Sequence, residues 1–205
     1  MKEKELIFAS ANERKLERAK QLLASLDIQI SCRYIPFKEL EIDDIFVIAA
    51  EKALKVYEKT ETPCIAMDTG FYIEDYPGCK NFPGAFIRRD LLEPMGVDGL
   101  LLKMQGVQNR TCCFRECLTY FDGYNLKSFE GVRYGQLTYE KRGESSLEAW
   151  SSLWSVFVPD HCDKTLAEMS EEERNSKQDG HTDAIEEFAK WYKSKERPKV
   201  LRKIS

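Results

Sequence analysis

The chain has 205 residues, of which 42% are apolar, 11% aromatic and 32% charged, with a net charge of −4. This length suits one large domain, or one domain in two lobes, and the composition excludes collagen-like, low-complexity and wholly disordered chains. The acidic balance argues against a cationic groove for duplex nucleic acid. The longest apolar run, Ile45 to Ala50, is far shorter than the roughly 18 residues of a membrane span, so neither nucleic acid nor membrane is an expected partner.

From the N-terminus, Met1-Lys2-Glu3-Lys4-Glu5 leads directly into strand-like Leu6-Ile7-Phe8-Ala9 without an apolar leader. No secretory signal and a cytoplasmic location are expected. Residues 13–26 carry Leu16, Ala19, Leu22, Leu23 and Leu26 at helical spacing. Residues 29–34 alternate like a strand. Residues 45–57 read as a helix through Ala49, Ala50, Ala53, Leu54 and Tyr57, and Pro63-Cys64-Ile65-Ala66-Met67 as a short buried strand ending at Asp68-Thr69-Gly70. Residues 76–86, rich in Pro, Gly and Asn, read as a loop, and a helix is expected from there to Met104. Residues 111–122 predict a long strand, and 127–133 and 135–140 two more, joined tightly. Val156-Phe157-Val158-Pro159 ends a further strand. Thr165-x-x-Glu168 and Ser170-x-x-Glu173 both fit the capping box. Ala184, Ile185, Phe188, Ala189 and Tyr192 mark a last amphipathic helix, and residues 193–205 a basic tail. The alternation of helices and strands early, with strands clustered in the middle, indicates an α/β fold with a mixed sheet. The seven cysteines show no C-x-x-C spacing and are expected to be free thiols.

Three segments can carry chemistry. Ser10-Ala11-Asn12-Glu13-Arg14-Lys15 links a strand to a helix, and a helix N-terminus with a nearby lysine suits phosphate. The same residues also fit an ordinary capping box, Ser10-x-x-Glu13. The acidic set Glu39, Glu41, Asp43 and Asp44 could supply the one or two carboxylates that hold Mg²⁺ on a nucleotide, or simply cap the next helix, which carries Lys52. Asp68, at the carboxyl end of a buried strand, could bind metal or orient water, or form a turn with Gly70.

The order of these pieces resembles the inosine triphosphate pyrophosphatase family, which acts on non-standard purine nucleoside triphosphates. The likeness spans about residues 4–192. It continues through Asn81-Phe82-Pro83-Gly84-Ala85-Phe86, Gly106-Val107-x-x-Arg110, Phe114, Phe129-x-Gly131-x-x-x-Gly135, Phe157-Val158-Pro159, Lys164-Thr165-x-Ala167-Glu168-Met169 and His181. The resemblance implies an elongated, two-lobed mixed sheet with flanking helices, one domain over 1–192, and often a homodimer. It implies hydrolysis of a nucleoside triphosphate to monophosphate and pyrophosphate with Mg²⁺. Ser10, Asn12 and Lys15 would hold the triphosphate, Glu41 would bind Mg²⁺, Lys52 would neutralise phosphate, and Asp68 would bind metal, activate water, or both.

Departures gather where the family reads the base. Its Gly-rich Phe-Gly-Tyr/Trp-Asp-Pro segment is replaced by residues 142–157, which contain Trp150 and Trp154 but neither that aspartate nor that proline. Its Lys-Asn is Arg174-Asn175, its Ser-His-Arg is Gly180-His181-Thr182, and its paired acids are Met67-Asp68. Arg174 and His181 are the substrate-binding candidates that remain at this end, and a tryptophan could offer a stacking face. These changes imply altered or relaxed base specificity. The competing expectation is a catalytically impaired nucleotide-binding homologue, and a weaker one is a different substrate such as a pyrimidine triphosphate.

Overall fold

The computed structural model describes residues 4–10, 12–26, 28–33, 35–36, 40–143 and 151–196. Strand β1 (Lys4–Ala9) leads through helix α1 (Glu13–Leu23) to β2 (Ile28–Cys32), and helix α2 (Ile45–Thr60) returns the chain to β3 (Cys64–Ile73). The short β4 (Phe82–Gly84) precedes a π-helical turn (Ile87–Leu92) and helix α3 (Gly96–Lys103). Two long strands, β5 (Thr111–Phe121) and β6 (Leu126–Leu137), follow. A 3₁₀ turn (Ser152–Ser155), β7 (Phe157–Pro159), the short α4 (Glu171–Asn175) and α5 (Ala184–Glu196) complete the chain.

The strands form one mixed sheet in the order β2-β1-β3-β5-β6-β7. β1 pairs in parallel with β2 and β3, and the remaining pairings are antiparallel. β3 is paired along its whole length with β5. Its other edge is shared: β1 pairs with it only as far as Ala9 opposite Ala66, and β4 begins at Gly84 opposite Phe71. Residues 67–70 lie between these two partners, and among the described residues no strand covers them on that edge. This break is where ligands gather in open α/β sheets, at the carboxyl end of the strands beside a switch in connection.

One face of the sheet carries two separate cores. The first packs α1 and α5 on the sheet through Leu6, Phe8, Leu23, Leu118 and Phe188. The second packs α3, the 3₁₀ turn and β7 through Phe71, Leu100, Phe114, Leu153, Trp154 and Phe157. The cores are the two lobes, and a cleft runs between them. The opposite face is covered by α2, whose Ala53 and Val56 meet Ile7, Cys64 and Ala66.

Several expectations change in detail. Asp68-Thr69-Gly70 is not a turn at a strand end. β3 continues through it to Ile73, because β5 pairs residue for residue across that stretch. The two strands expected over 127–140 are one continuous β6, and the helix expected up to Met104 is broken at Pro94, where proline cannot continue the ladder of the π-helical turn. Ser170 and Glu173 form a reciprocal capping box. Glu168 accepts from the Thr165 N–H, but no helix follows, and the Thr165 hydroxyl instead donates to the Arg142 carbonyl. Lys193 to Glu196, expected as the start of a tail, belong to α5, and residues 197–205 lie outside the described residues. All seven cysteines are free thiols.

Candidate active site

The first part of the site is the junction after β1. Asn12, not Ser10, is the N-cap of α1: its Oδ1 accepts from the N–H groups of Arg14 (3.1 Å) and Lys15 (3.3 Å). The Ser10 Oγ accepts from the Asn12 N–H at 3.0 Å, so the two side chains shape one tight turn at the positive end of the helix. This fixes Lys15 in the first turn, from which its Nζ reaches across to donate to Thr69 Oγ1 at 3.0 Å. Burial pulls the Lys15 pKa below the ordinary lysine value. Asp68 opposes the shift, and Lys52 adds to it.

The second part comes from α2. Lys52 Nζ lies 2.8 Å from Asp68 Oδ1, and both side chains are only 14% exposed. Ser10, Asn12, Lys15, Lys52 and Asp68 are thus brought to the uncovered stretch of β3. Asp68 faces α2, and Thr69 faces the cleft under α1. Met67, the position before Asp68, points away into the first core.

The acidic set divides. Glu39 lies outside the described residues. Asp44 is the N-cap of α2, accepting from Phe46 and Val47. Asp43 Oδ1 accepts from the Ala85 N–H at 2.7 Å, in space that exists only because residue 84 is glycine: a Cβ on Gly84, at φ +67°, would lie 2.1 Å from that oxygen. Glu41 is exposed; Asp90 is the main group holding Arg89 charged, with Glu41 and Asp43 adding to it. Asp43 and Asp68 both act on Tyr72, whose hydroxyl burial pushes up to about 12.

The third part is the cleft, about 570 Å³. Its floor is formed by two adjacent rows of the sheet, Thr69, Glu116 and Gly131 in one and Phe114 and Arg133 in the next. Arg18 Nη1 and Nη2 bind the two Glu116 carboxylate oxygens at 2.9 and 3.0 Å, and Nη2 also pairs with Asp183, the residue that caps the start of α5. Against the pull of burial, those two acids hold Arg18 firmly charged. The far wall contains Trp154 with the Arg174 guanidinium 5.0 Å from its ring. Arg174 Nη1 also donates to the Met169 carbonyl at 2.5 Å. His181 lines the same end, with Nδ1 2.6 Å from Asp179 Oδ1. Arg174 and His181 therefore share the cleft, at the end away from Lys52. Trp154 is the tryptophan facing it, while Trp150 lies outside the described residues.

Sequence reasoning missed Arg18, Thr69, Glu116, Arg133 and Asp179. Arg18 had a signal, since it follows Lys15 by one helical turn, and Glu116 is the one acid of β5, within a mostly apolar strand. The isolated charges at 133 and 179 gave none.

The profile of the Ham1 family matches residues 6–191. The chain belongs to the Ham1 family. It is 32% identical over 190 residues to a dITP/XTP pyrophosphatase of Methanopyrus kandleri, covering 92% of this chain and 96% of that protein. It is also 32% identical over 142 residues to inosine triphosphate pyrophosphatase 1 of Trypanosoma cruzi, 67% of each chain. A HAM1 protein of Coxiella burnetii superposes with a TM-score of 0.77 at 21% identity, over 93% of this chain and 99% of that one. The Ham1 fold, a curled mixed sheet flanked by helices, is the fold described above. Among the described residues, no helix is long and apolar enough to cross a membrane.

Proposed function

We propose that this Ham1-family chain hydrolyses non-standard purine nucleoside triphosphates, of the ITP, dITP and XTP type, to the monophosphate and pyrophosphate. The observation that carries the reading is the meeting of Lys15, Lys52 and Asp68 at the open stretch of β3 beside the N-terminus of α1. Two cations and a helix N-terminus suit a polyphosphate, and the adjoining cleft has the size and mixed polarity of a nucleoside site. The names of the relatives support the same substrate class.

In this reading Ser10, Asn12 and Lys15 hold the phosphate chain, and Lys52 offsets charge on it while orienting Asp68. Asp68 takes up or directs the proton of the attacking water. Among the described residues no three His, Cys, Asp or Glu side chains are grouped as a metal cage. The Mg²⁺ assignment rests on the family resemblance: Asp68 and Glu41 would be the one or two carboxylates that hold it, with phosphate and water completing the shell. When bound, Mg²⁺ would neutralise the triphosphate and polarise its phosphoryl oxygens. A changed base preference belongs to the same proposal, because the base end is built from Trp154, Arg174 and His181. A homodimer in the cytoplasm also belongs to it, on family resemblance alone.

The test is pyrophosphate release from ITP, dITP, XTP, dUTP and the common nucleotides, with Mg²⁺ and with excess chelator. Release from the 6-keto purines that stops with chelator is expected. No release from any nucleotide by folded protein rejects the reading. A second reading is favoured by the burial of Met67, which leaves Asp68 as the only carboxylate of its pair: a protein that binds nucleotides without turnover. Calorimetric binding with no pyrophosphate release would support it.

A further inference from the structure

The cleft floor ends at Arg133. Relative to Thr69 it is two strands across, about 10 Å, and two residues along, about 7 Å. That is about the reach of a nucleoside from its 5′-phosphate to its base. Its side chain shares the sheet face with Phe71 and Phe114 and lines the cleft beside Val132 and His181.

The guanidinium is held from behind. Nε lies 2.8 Å from Asp179 Oδ2, a carboxylate only 5% exposed that does not itself line the cleft. Nη2 donates to the Arg174 carbonyl at 2.6 Å and lies 2.6 and 3.0 Å from the two ring nitrogens of His181. Among the described residues, no hydrogen bond engages Nη1. The neighbours that could compete for a ligand are turned to other tasks. The Thr182 hydroxyl accepts from the Val132 N–H, and Arg174 Nη1 donates to the Met169 carbonyl. The surroundings, Phe114, Trp154 and Leu166, are flat or apolar.

We propose that Arg133 is the specificity-determining residue of this cleft, donating from its guanidinium to a ring carbonyl of the substrate base, with Asp179 as the positioning residue behind it. The inference deepens the reading above and rests on it for where the base lies. A guanidinium has donors and no acceptor. A 6-keto purine completes it, whereas adenine opposes donor to donor and leaves both unpaired, the costly arrangement on which polar discrimination depends.

The experiment compares the full-length chain with R133M and R133K. Two ratios are read: kcat/KM for ITP over ATP, and calorimetric affinity for IMP over AMP. The wild type should prefer the keto member at least about tenfold, and R133M should lose about tenfold to a hundredfold of that preference. R133K keeps the charge without the planar fork and should lose most of it too. It decides the matter if R133M fails to fold by thermal melt. Ratios unchanged in a folded variant overturn the proposal, as does a wild type with no preference in binding. If the wild type turns over nothing yet its IMP preference falls with Arg133, the hydrolase reading fails and this inference stands.

Discussion

Asp68→Asn separates chemistry from scaffolding. The carboxylate contacts Lys52 at 2.8 Å, and both side chains are largely withdrawn from water. A hydrogen bond between charged groups contributes about 1.5–3 kcal/mol, and asparagine keeps an acceptor in the same place. The loss of stability should therefore be about 1–2 kcal/mol, which for a chain of this size is about 2–8 °C in Tm. The effect on turnover should be far larger. Removing a group that manages the water proton costs about a hundredfold to ten-thousandfold, or about 2.7–5.5 kcal/mol of barrier. Nucleotide affinity measured without Mg²⁺ should hold or rise, because Lys15 and Lys52 then face the phosphates without a competing anion. The assay is pyrophosphate release from ITP with Mg²⁺, with kcat and KM determined separately and Tm measured on the same samples. A kcat within about threefold of wild type, less than 1 kcal/mol of barrier, would refute the role given to Asp68.

Lys15→Met should raise KM for ITP by about tenfold to a hundredfold through loss of a charged contact to phosphate. Because Lys15 is a desolvated cation, the same variant should melt no lower than wild type in a thermal scan. Gly131→Ala would place a Cβ 2.7 Å from the Ala184 backbone nitrogen and the Glu116 carboxylate, so it should cost about 1–3 kcal/mol, read as a fall in Tm. His181 is held below its ordinary value, first by burial. Asp179 is held below its own despite burial, by His181 and Arg133. For both groups the unfolded chain binds protons more readily, so stability should fall with acidification. The decline should begin just below the ordinary histidine pKa and steepen below the ordinary carboxylate range. Asp179→Asn should shrink the second phase in urea melts across that span, leaving the part that comes from other carboxylates held low, such as Asp122.

The cluster proposed to hold phosphate was largely legible in the sequence. Lys15, Lys52 and Asp68 sit on or beside strongly patterned elements, and the break in β3 brings them together as the order of motifs implied. What was not legible depended on partners distant along the chain. That Asp68 lies inside a strand rather than at its end follows from pairing with β5, some 50 residues on, and no local signal carries it. Asn12 displaced Ser10 as the cap because the choice depends on where the chain leaves β1. Arg133 and Asp179 carry no local signal; β6 and the approach to α5 bring them together, Arg133 lining the cleft and Asp179 behind it.

The two halves of the sheet face are packed by different side chains, one set around Phe188 and the other around Phe157. Substitutions that reshape the pocket near Trp154 are absorbed within the second set and need not disturb the seating of Lys15 or Lys52. Under the function proposed above, such a division would let the heterocycle accepted at the Trp154 end change while Lys15 and Lys52 keep their seating; of the departures from the family pattern, Trp154 packs in the second set and Met67 in the first.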